Sequence, residues 1–258
     1  MNPLRIAVRK LRWSLIHRGL RETLRLPAQR LKAAKGPRII PPLHPFDLEH
    51  HVDTSGLIGA VHLPANHPHD IHTTAYYAIP PSQFKSILAR WQSTPPERPL
   101  NNYIFIDIGC GKGRAVLLAS ELPFKEVLGV ELNPALARIA SANVKIWEAT
   151  NPHASPMRIL TQDATEIALP TTPCVLYLYN PFSAHVMTRL LQHLEKALRK
   201  KPHPLDILYF TPDAGHLLAN HPSFITLWSE SILISPADQA IEPAISIIDR
   251  CTAYRWIG

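Results

Sequence analysis

Short apolar segments alternate with amphipathic ones from residue 103 to residue 211, and this alternation constrains the fold more than any other feature of the chain. Short runs rich in Val, Ile and Leu are typical of strands that are buried on both faces of a sheet. They predict strands at Tyr103–Ile108, Val127–Glu131, Arg158–Thr161, Cys174–Tyr179 and Leu205–Thr211. Apolar residues at helical spacing predict helices at Arg114–Glu121, Pro134–Trp147 and Ala184–Lys200. Together they predict an α/β domain with a mostly parallel sheet and helices on both faces.

The two ends of this domain depart from the alternation. A helix is predicted over Gln83–Trp91, where Phe84, Ile87, Leu88 and Trp91 share one face. At the other end, Ser231–Ser235 and Ile247–Trp256 are predicted as strands with no long helix between them. Parallel strands need a long crossover connection, so this pair indicates an antiparallel edge.

Positive charge is concentrated at the N-terminus. Residues 1–38 contain eleven Lys and Arg against one acid, a formal charge of +10, whereas the other residues contain 16 basic and 19 acidic groups. Apolar residues interleave with the arginines at a spacing compatible with an amphipathic helix. Such an arm could pack on the domain, rest on an anionic membrane surface or contact nucleic acid, and an organelle-targeting presequence has a similar composition.

Proline and histidine dominate the next segment, so three regions are predicted: a basic helical arm (1–40), a connector (41–75) and the α/β domain (76–258). The connector's prolines exclude long regular elements. Its histidines, at positions 62, 67, 69 and 72, are chemically able to bind a transition metal. No cysteine or i,i+4 histidine pair accompanies them to fix a geometry. We therefore expect a solvated loop and no metal.

A glycine-rich turn follows the first predicted strand, in the segment Asp107-Ile108-Gly109-Cys110-Gly111-Lys112-Gly113. Glycine permits a positive φ and lets the backbone approach a ligand closely, and the amides of the following helix point toward it. A dinucleotide-binding fingerprint has its third glycine at position 114, but this chain has Arg114 there. The acid two residues before the first glycine makes the motif more specific.

Polar groups also follow the next three predicted strands. Glu131 ends the second strand, and a carboxylate there can accept hydrogen bonds from both hydroxyls of a ribose. Asp163 follows the third strand. Asn180-Pro181-Phe182 follows the fourth, and the carboxyl ends of such strands line a ligand crevice.

These motifs resemble those of class I S-adenosylmethionine-dependent methyltransferases, which have a Rossmann-like sheet. The resemblance covers about residues 76–211 and implies that S-adenosylmethionine is the cofactor. It implies that the glycine turn and Asp107 hold the methionine part, Glu131 the ribose and Asp163 the adenine amino group. The cofactor-binding residues it predicts are Asp107, Gly109, Cys110, Gly111, Gly113, Glu131, Leu132, Asp163, Ala164 and Asn180.

The methyl acceptor is less well defined by the sequence. Asn180-Pro181-Phe182 is similar to the Asn-Pro-Pro-aromatic motif of enzymes that methylate planar amines, although the second proline is absent. The entry segment with Tyr76-Tyr77 resembles that of a bacterial branch related to non-SET, histone-type protein-lysine methyltransferases. The resemblance implies an amine acceptor such as a protein lysine, with Asn180, Tyr179 and Tyr77 as catalytic residues.

Two other functions stay open at this stage. A nicotinamide-dependent oxidoreductase is disfavoured by Arg114, and a non-catalytic module could bind the cofactor without transferring its methyl group. No apolar run approaches the roughly 20 residues of a membrane-spanning helix, so the protein is not expected to be integral to a membrane. We expect it in the cytoplasm, with peripheral membrane attachment as an alternative.

Overall fold

The computed structural model describes residues 43–94, 96–241 and 248–258, so the predicted basic arm lies outside the described residues. Within these ranges the strands are β1 (Leu57–Ile58), β2 (Tyr76–Tyr77), β3 (Ile104–Ile108), β4 (Glu126–Glu131), β5 (Met157–Thr161), β6 (Cys174–Tyr179), β7 (Leu205–Phe210), β8 (Phe224–Leu233) and β9 (Ile248–Trp256). The α-helices are α1 (Pro45–His50), α2 (Pro81–Ser93), α3 (Arg114–Ala119), α4 (Pro134–Thr150), α5 (Ala184–Lys200), α6 (Gly215–Ala219) and α7 (Pro236–Ile241).

The described strands form a central seven-stranded sheet in the order β5-β4-β3-β6-β7-β9-β8, and β1 pairs with β2 separately. Strands β3 to β7 run parallel, whereas β9 is antiparallel to both β7 and β8. The predicted Rossmann-like α/β fold with an antiparallel edge is therefore confirmed.

Helices cover both faces of this sheet because successive side chains of each strand point to opposite faces. On one face, Phe105 and Tyr177 pack with α2, α3 and α4. On the other, Ile106 and Leu176 pack with α5. The start of α4 is fixed by Asn133, whose side chain accepts hydrogen bonds from Ala135 N and Leu136 N.

Strand β8 is longer than the prediction of Ser231–Ser235. Only Phe224, Trp228 and Ile232 of this edge strand are buried, and the register shifts between Thr226 and Trp228. The bulge breaks the two-residue alternation of apolar and polar side chains, so the sequence did not reveal the first part of the strand.

The expectation of a solvated loop was wrong for part of the connector. His62 is exposed and His67 is half-buried, but His69 is 6% exposed. Two short 3₁₀ turns, Ala60–His62 and Asp70–His72, replace the long elements that the prolines exclude. Among the described residues, no helix combines the length and the apolar character needed to cross a bilayer.

Candidate cofactor site

A cleft of about 1040 Å³, counted to its open mouth, lies at the carboxyl ends of β3, β4, β5 and β6. Its floor is formed by the ends of these strands. Its opposite wall comes from residues 63–79, which we call the cover segment. The predicted site residues that line the cleft are Tyr77, Asp107, Gly109, Cys110, Gly111, Glu131, Leu132, Asp163, Ala164 and Tyr179.

The glycine turn is closely packed between the cover segment and the end of β6. Gly111 has a φ of +56°, and a Cβ atom there would lie 2.2 Å from Cε2 of Tyr76. Gly109 has a φ of +76°, and a Cβ atom there would lie 2.6 Å from Cβ of Pro181. Larger residues would displace both neighbours, so glycine keeps the backbone of this turn open to the cleft. Gly113 immediately precedes α3, beside Ala140.

Glu131 connects the end of β4 to the glycine turn. Its Oε2 accepts a hydrogen bond from Gly111 N and its Oε1 accepts one from Asn133 N, both at 2.8 Å. Burial raises the pKa of this carboxyl group, and hydrogen bonds from the backbone of Asn133, Gly111 and Leu132 offset part of that rise. A carboxylate has about four lone-pair sites, so two bonds to the backbone leave capacity for a diol.

Asp107 is the most deeply buried carboxyl group of the cleft floor. Burial raises its pKa well above the usual value, and the neighbouring charge of Glu131 raises it further. Ionisation of both groups would thus place two negative charges close together in a buried part of the cleft. A positively charged group placed between them would favour the ionised form of both.

Asp163 lies at the other end of the cleft, after β5. Its Oδ1 accepts a hydrogen bond from Thr165 N at 2.8 Å, as an N-cap does. Its Oδ2 lies 2.8 Å from Nδ1 of His69. His69 also lines the cleft, although the sequence analysis considered it only as a possible metal ligand and not as a cofactor-site residue. The only available signal was its place in a histidine-rich segment, and such segments occur much more often in solvated loops than in binding sites.

Asn180 is the predicted site residue whose placement differs most from the expectation. Its side-chain amide donates to Asp213 Oδ2 at 2.9 Å and accepts from the Tyr209 hydroxyl at 3.2 Å. With a φ of +42° the backbone turns this side chain toward the loop after β7, and Asn180 is not part of the cleft lining. Pro181 and Phe182, from the same motif, do line the cleft.

The two adjacent tyrosines of β2 have different environments. The Tyr76 hydroxyl donates to the carbonyl oxygen of Thr54 at 2.5 Å, so its ring is fixed over Gly111. Tyr77 lines the cleft, as do Tyr177 and Tyr179 of β6. Tyr77 and Tyr179, two of the predicted catalytic residues, thus both line this cleft.

A buried ionic network attaches the residues before β1 to the glycine turn, and the sequence did not predict it. Arg114 lies 3.6 Å from Asp47, and both side chains are at most 1% exposed. Arg114 Nε donates to Thr54 Oγ1 at 2.7 Å, and Asp47 accepts from the backbone of Thr54 and Ser55. Arg114 stands where a dinucleotide fingerprint has glycine. Here it holds the residues before β1, from Asp47 to Ser55, against α3.

Part of the chain is similar to a known protein family. Residues 106–201, from β3 to the end of α5, match a family model described as a methyltransferase domain. No curated protein matches the chain.

Solved structures with a similar arrangement include several methyltransferases. TrmN from Thermus thermophilus has 16% identity and a TM-score of 0.47 over 68% of this chain, which spans 48% of TrmN. A putative RNA methyltransferase from Pyrococcus horikoshii has 14% identity and a TM-score of 0.43, covering 67% of this chain and 81% of that one. Magnesium protoporphyrin IX methyltransferase from Synechocystis, with bound SAH, has 11% identity and a TM-score of 0.47, covering 69% and 83%.

The matched segment contains the glycine turn and the acids that end β4 and follow β5. Residues 106–201 are thus similar to a methyltransferase domain.

Proposed function

We propose that this chain transfers the methyl group of S-adenosylmethionine to an amine, with a protein lysine side chain as the favoured acceptor. The observation that carries the proposal is one cleft with two different ends. Glu131 and Asp163 lie on the side of the outer strands β4 and β5, whereas Asp107 lies on β3 beside Tyr177 of β6. When bound, S-adenosylmethionine supplies a methyl group that is already activated on a positively charged sulfur.

The residues of the cleft fit the parts of this cofactor. Glu131 has acceptor capacity for the ribose hydroxyls, and Asp163 can accept from the adenine amino group. Asp107 is suited to the ammonium group of the methionine part, because a positive charge there relieves its repulsion from Glu131. The glycine turn leaves space for a ligand against its backbone.

The order of the strands sets the direction in which the cofactor lies. Glu131 ends β4 and Asp163 follows β5, so the adenosine end belongs at the outer strands of the sheet. Asp107 on β3 and Tyr179 on β6 belong at the opposite end. The acceptor would therefore enter beside Tyr179, and Tyr77 is the other predicted catalytic residue that lines the cleft.

The protein contributes mainly alignment in this proposal. Holding donor and acceptor in a reactive geometry can supply about 7 to 11 kcal/mol of a reaction barrier. Tyrosine oxygens near the acceptor can receive or orient an N–H of an incoming amine. Burial raises the pKa of Tyr177 well above its usual value, so this residue stays a neutral phenol.

The test is transfer of labelled methyl from S-adenosylmethionine into fractionated cell extract. We expect label in the protein fraction, released as N-methylated amino acids after total hydrolysis. Glu131→Ala should weaken binding of S-adenosylhomocysteine about tenfold or more, because charge-assisted hydrogen bonds contribute roughly 1.5 to 3 kcal/mol. Glu126→Ala is the matched control, since Glu126 begins the same strand and forms only a partly exposed pair with Arg158.

Each other outcome contradicts a different part of the proposal. Label confined to nucleic acid or small molecules would exclude the protein amine and leave methyl transfer intact. Binding of the cofactor without label in any fraction would favour a non-catalytic module. Equal affinity of the two variants for S-adenosylhomocysteine would contradict the role assigned to Glu131.

A further inference from the structure

The adenosine end of the cleft contains a buried chain of polar side chains that reaches from the surface to Asp163. The Nδ1 atom of His69 is buried, has no other hydrogen-bond partner among the described residues, and lies 2.8 Å from Asp163 Oδ2. On the other side of the ring, Arg189 Nη1 lies 3.1 Å from His69 Nε2. Arg189 belongs to the exposed face of α5. The order from the surface inward is thus Arg189, His69, Asp163.

The guanidinium group determines which nitrogen of His69 carries the proton. Arginine can only donate hydrogen bonds, so Nε2 of His69 must accept from Arg189. In the neutral ring the proton then resides on Nδ1, which faces the carboxylate of Asp163. Each member of the chain therefore donates toward the next, and the last acceptor is the carboxylate in the cleft.

The same groups are also the strongest metal candidate among the described residues. Nitrogens of His67 and His69 and a carboxylate oxygen of Asp163 all lie within 4.8 Å of one another. A metal would have to replace the proton on Nδ1 of His69, and Nε2 would then carry a hydrogen that opposes the N–H of Arg189. The contact with Arg189 therefore favours a hydrogen-bonded chain over a metal site.

The backbone around His69 is fixed by its neighbours. The Asp70 carboxylate accepts hydrogen bonds from Ala65 N at 3.0 Å and from His67 N at 3.3 Å. His72 N donates to the carbonyl oxygen of His69 at 2.8 Å. A side chain held on such a loop has little freedom to lose on binding a ligand.

We propose that Arg189 and His69 are positioning residues that align the Asp163 carboxylate with the 6-amino group of adenine. This inference rests on the proposed function, because it assumes that the adenosine part of the cofactor occupies this end. Asp163 is held by Thr165 N on one oxygen and by His69 on the other, so its plane is fixed before the ligand arrives. The cleft should therefore select a purine with a 6-amino group over one with a 6-oxo group.

The selection has a simple electrostatic reason. An amino group donates a hydrogen bond to the fixed carboxylate, whereas a carbonyl oxygen in the same place brings two acceptors together. A buried acceptor without a donor loses its hydrogen bond to water and gains none in return. A carboxylate that could rotate away would lose much of this discrimination.

The experiment compares the dissociation constants of S-adenosylhomocysteine and S-inosylhomocysteine by calorimetry. We expect the wild-type protein to prefer the adenosyl compound, and His69→Phe to lower that preference roughly tenfold, the effect of one charge-assisted hydrogen bond. His69→Asn should restore most of it, because the Asn amide nitrogen takes nearly the place of Nδ1. Arg189→Ala should lower the preference and Arg199→Ala should not, since Arg199 on the same helix is exposed and pairs with Glu195.

The results that would overturn the proposal are distinct from those that would overturn the function. An unchanged preference in both His69→Phe and Arg189→Ala, or an equal loss of affinity for the two compounds, would exclude a positioning role. Stoichiometric binding of Zn²⁺ by the wild-type protein, lost in His69→Phe, would show that His69 and Asp163 belong to a metal site and not to a hydrogen-bonded series of side chains. Failure of the wild-type protein to bind either compound would overturn the proposed function itself. If His69→Phe does not fold, Arg189→Ala is by itself sufficient to test the proposal.

Discussion

Asp107 and Glu131 are the residues at which stability and ligand binding oppose each other. Asp107 is buried beside a second carboxyl group, and both burial and that neighbour raise its pKa well above 3.8. Without ligand, ionising Asp107 is therefore costly. With an ammonium group in the cleft, ionisation becomes favourable. Asp107 is thus suited to binding a cationic ligand, but it lowers the stability of the ligand-free protein when it ionises.

This residue gives a prediction about pH. The folded state of the ligand-free protein holds a proton on Asp107 at pH values where the unfolded chain has lost it. Its contribution to stability is therefore complete below about pH 3.8 and is lost as pH rises through the raised pKa. Asp107→Asn, which cannot ionise, should remove this fall in unfolding free energy, as measured by urea denaturation between pH 5 and pH 8. The same variant should bind S-adenosylmethionine more weakly than the wild-type protein, and unchanged affinity would contradict the assignment.

At the scale of elements, the sheet and its helices were predictable from local pattern, whereas the connector was not. Strand β3 and helix α5 follow from the periodicity of their own residues. The packing of residues 43–79 depends on partners far away in the chain, such as Arg114 and Thr54, which are 60 residues apart. No local pattern records such a pair. For the same reason the sequence placed Glu131 and Asp163 in the site but missed His69.

Asn180 illustrates a second limit of local pattern. Its position after β6 was predicted correctly, but a positive φ of +42° directs its side chain to Tyr209 and Asp213 instead of the cleft. The direction of a side chain after a strand depends on one or two backbone angles, which sequence spacing does not define. The aromatic and proline neighbours of Asn180 therefore line the cleft in its place.

The attachment of α1 to α3 gives a prediction at the same scale. Asp47 is completely buried against Arg114, so Asp47→Ala leaves a buried cation without its partner and should cost about 3 to 5 kcal/mol of unfolding free energy. Asp53→Ala is the matched control. Asp53 pairs with Lys112 at 2.6 Å, but Asp53 is 59% exposed and Lys112 keeps the carbonyl oxygen of Ser55 as a second partner, so a smaller loss is expected. Similar denaturation midpoints for the two variants would show that the buried pair of Asp47 and Arg114 does not hold α1 against α3.

For the described domain as a whole, the cleft divides the chain into a body and a cover. The body supplies the carboxylates of β3, β4 and β5, and residues 63–79 close over them. The cover lies outside the central sheet, and its hydrogen bonds to the body include Thr74 N to Pro181 O at 3.2 Å and Asn133 Nδ2 to Pro64 O at 3.2 Å. A segment outside the central sheet opens at a lower free energy than the central strands.

Ligand binding should therefore protect the cover more than the rest of the domain. If the cover must open before the ligand leaves, S-adenosylhomocysteine at one hundred times its dissociation constant should stabilise the closed form by about 2.7 kcal/mol. Hydrogen exchange of residues 63–79, measured by mass spectrometry, should slow about a hundredfold. Strands β8 and β9 do not line the cleft, so exchange through local opening of their peptides should change little. Glu131→Ala at the same ligand concentration provides the control, because weaker binding reduces the protection in proportion. Equal protection of the cover and of the β8–β9 edge would mean that the ligand stabilises the domain only globally, and that the cover does not open on its own.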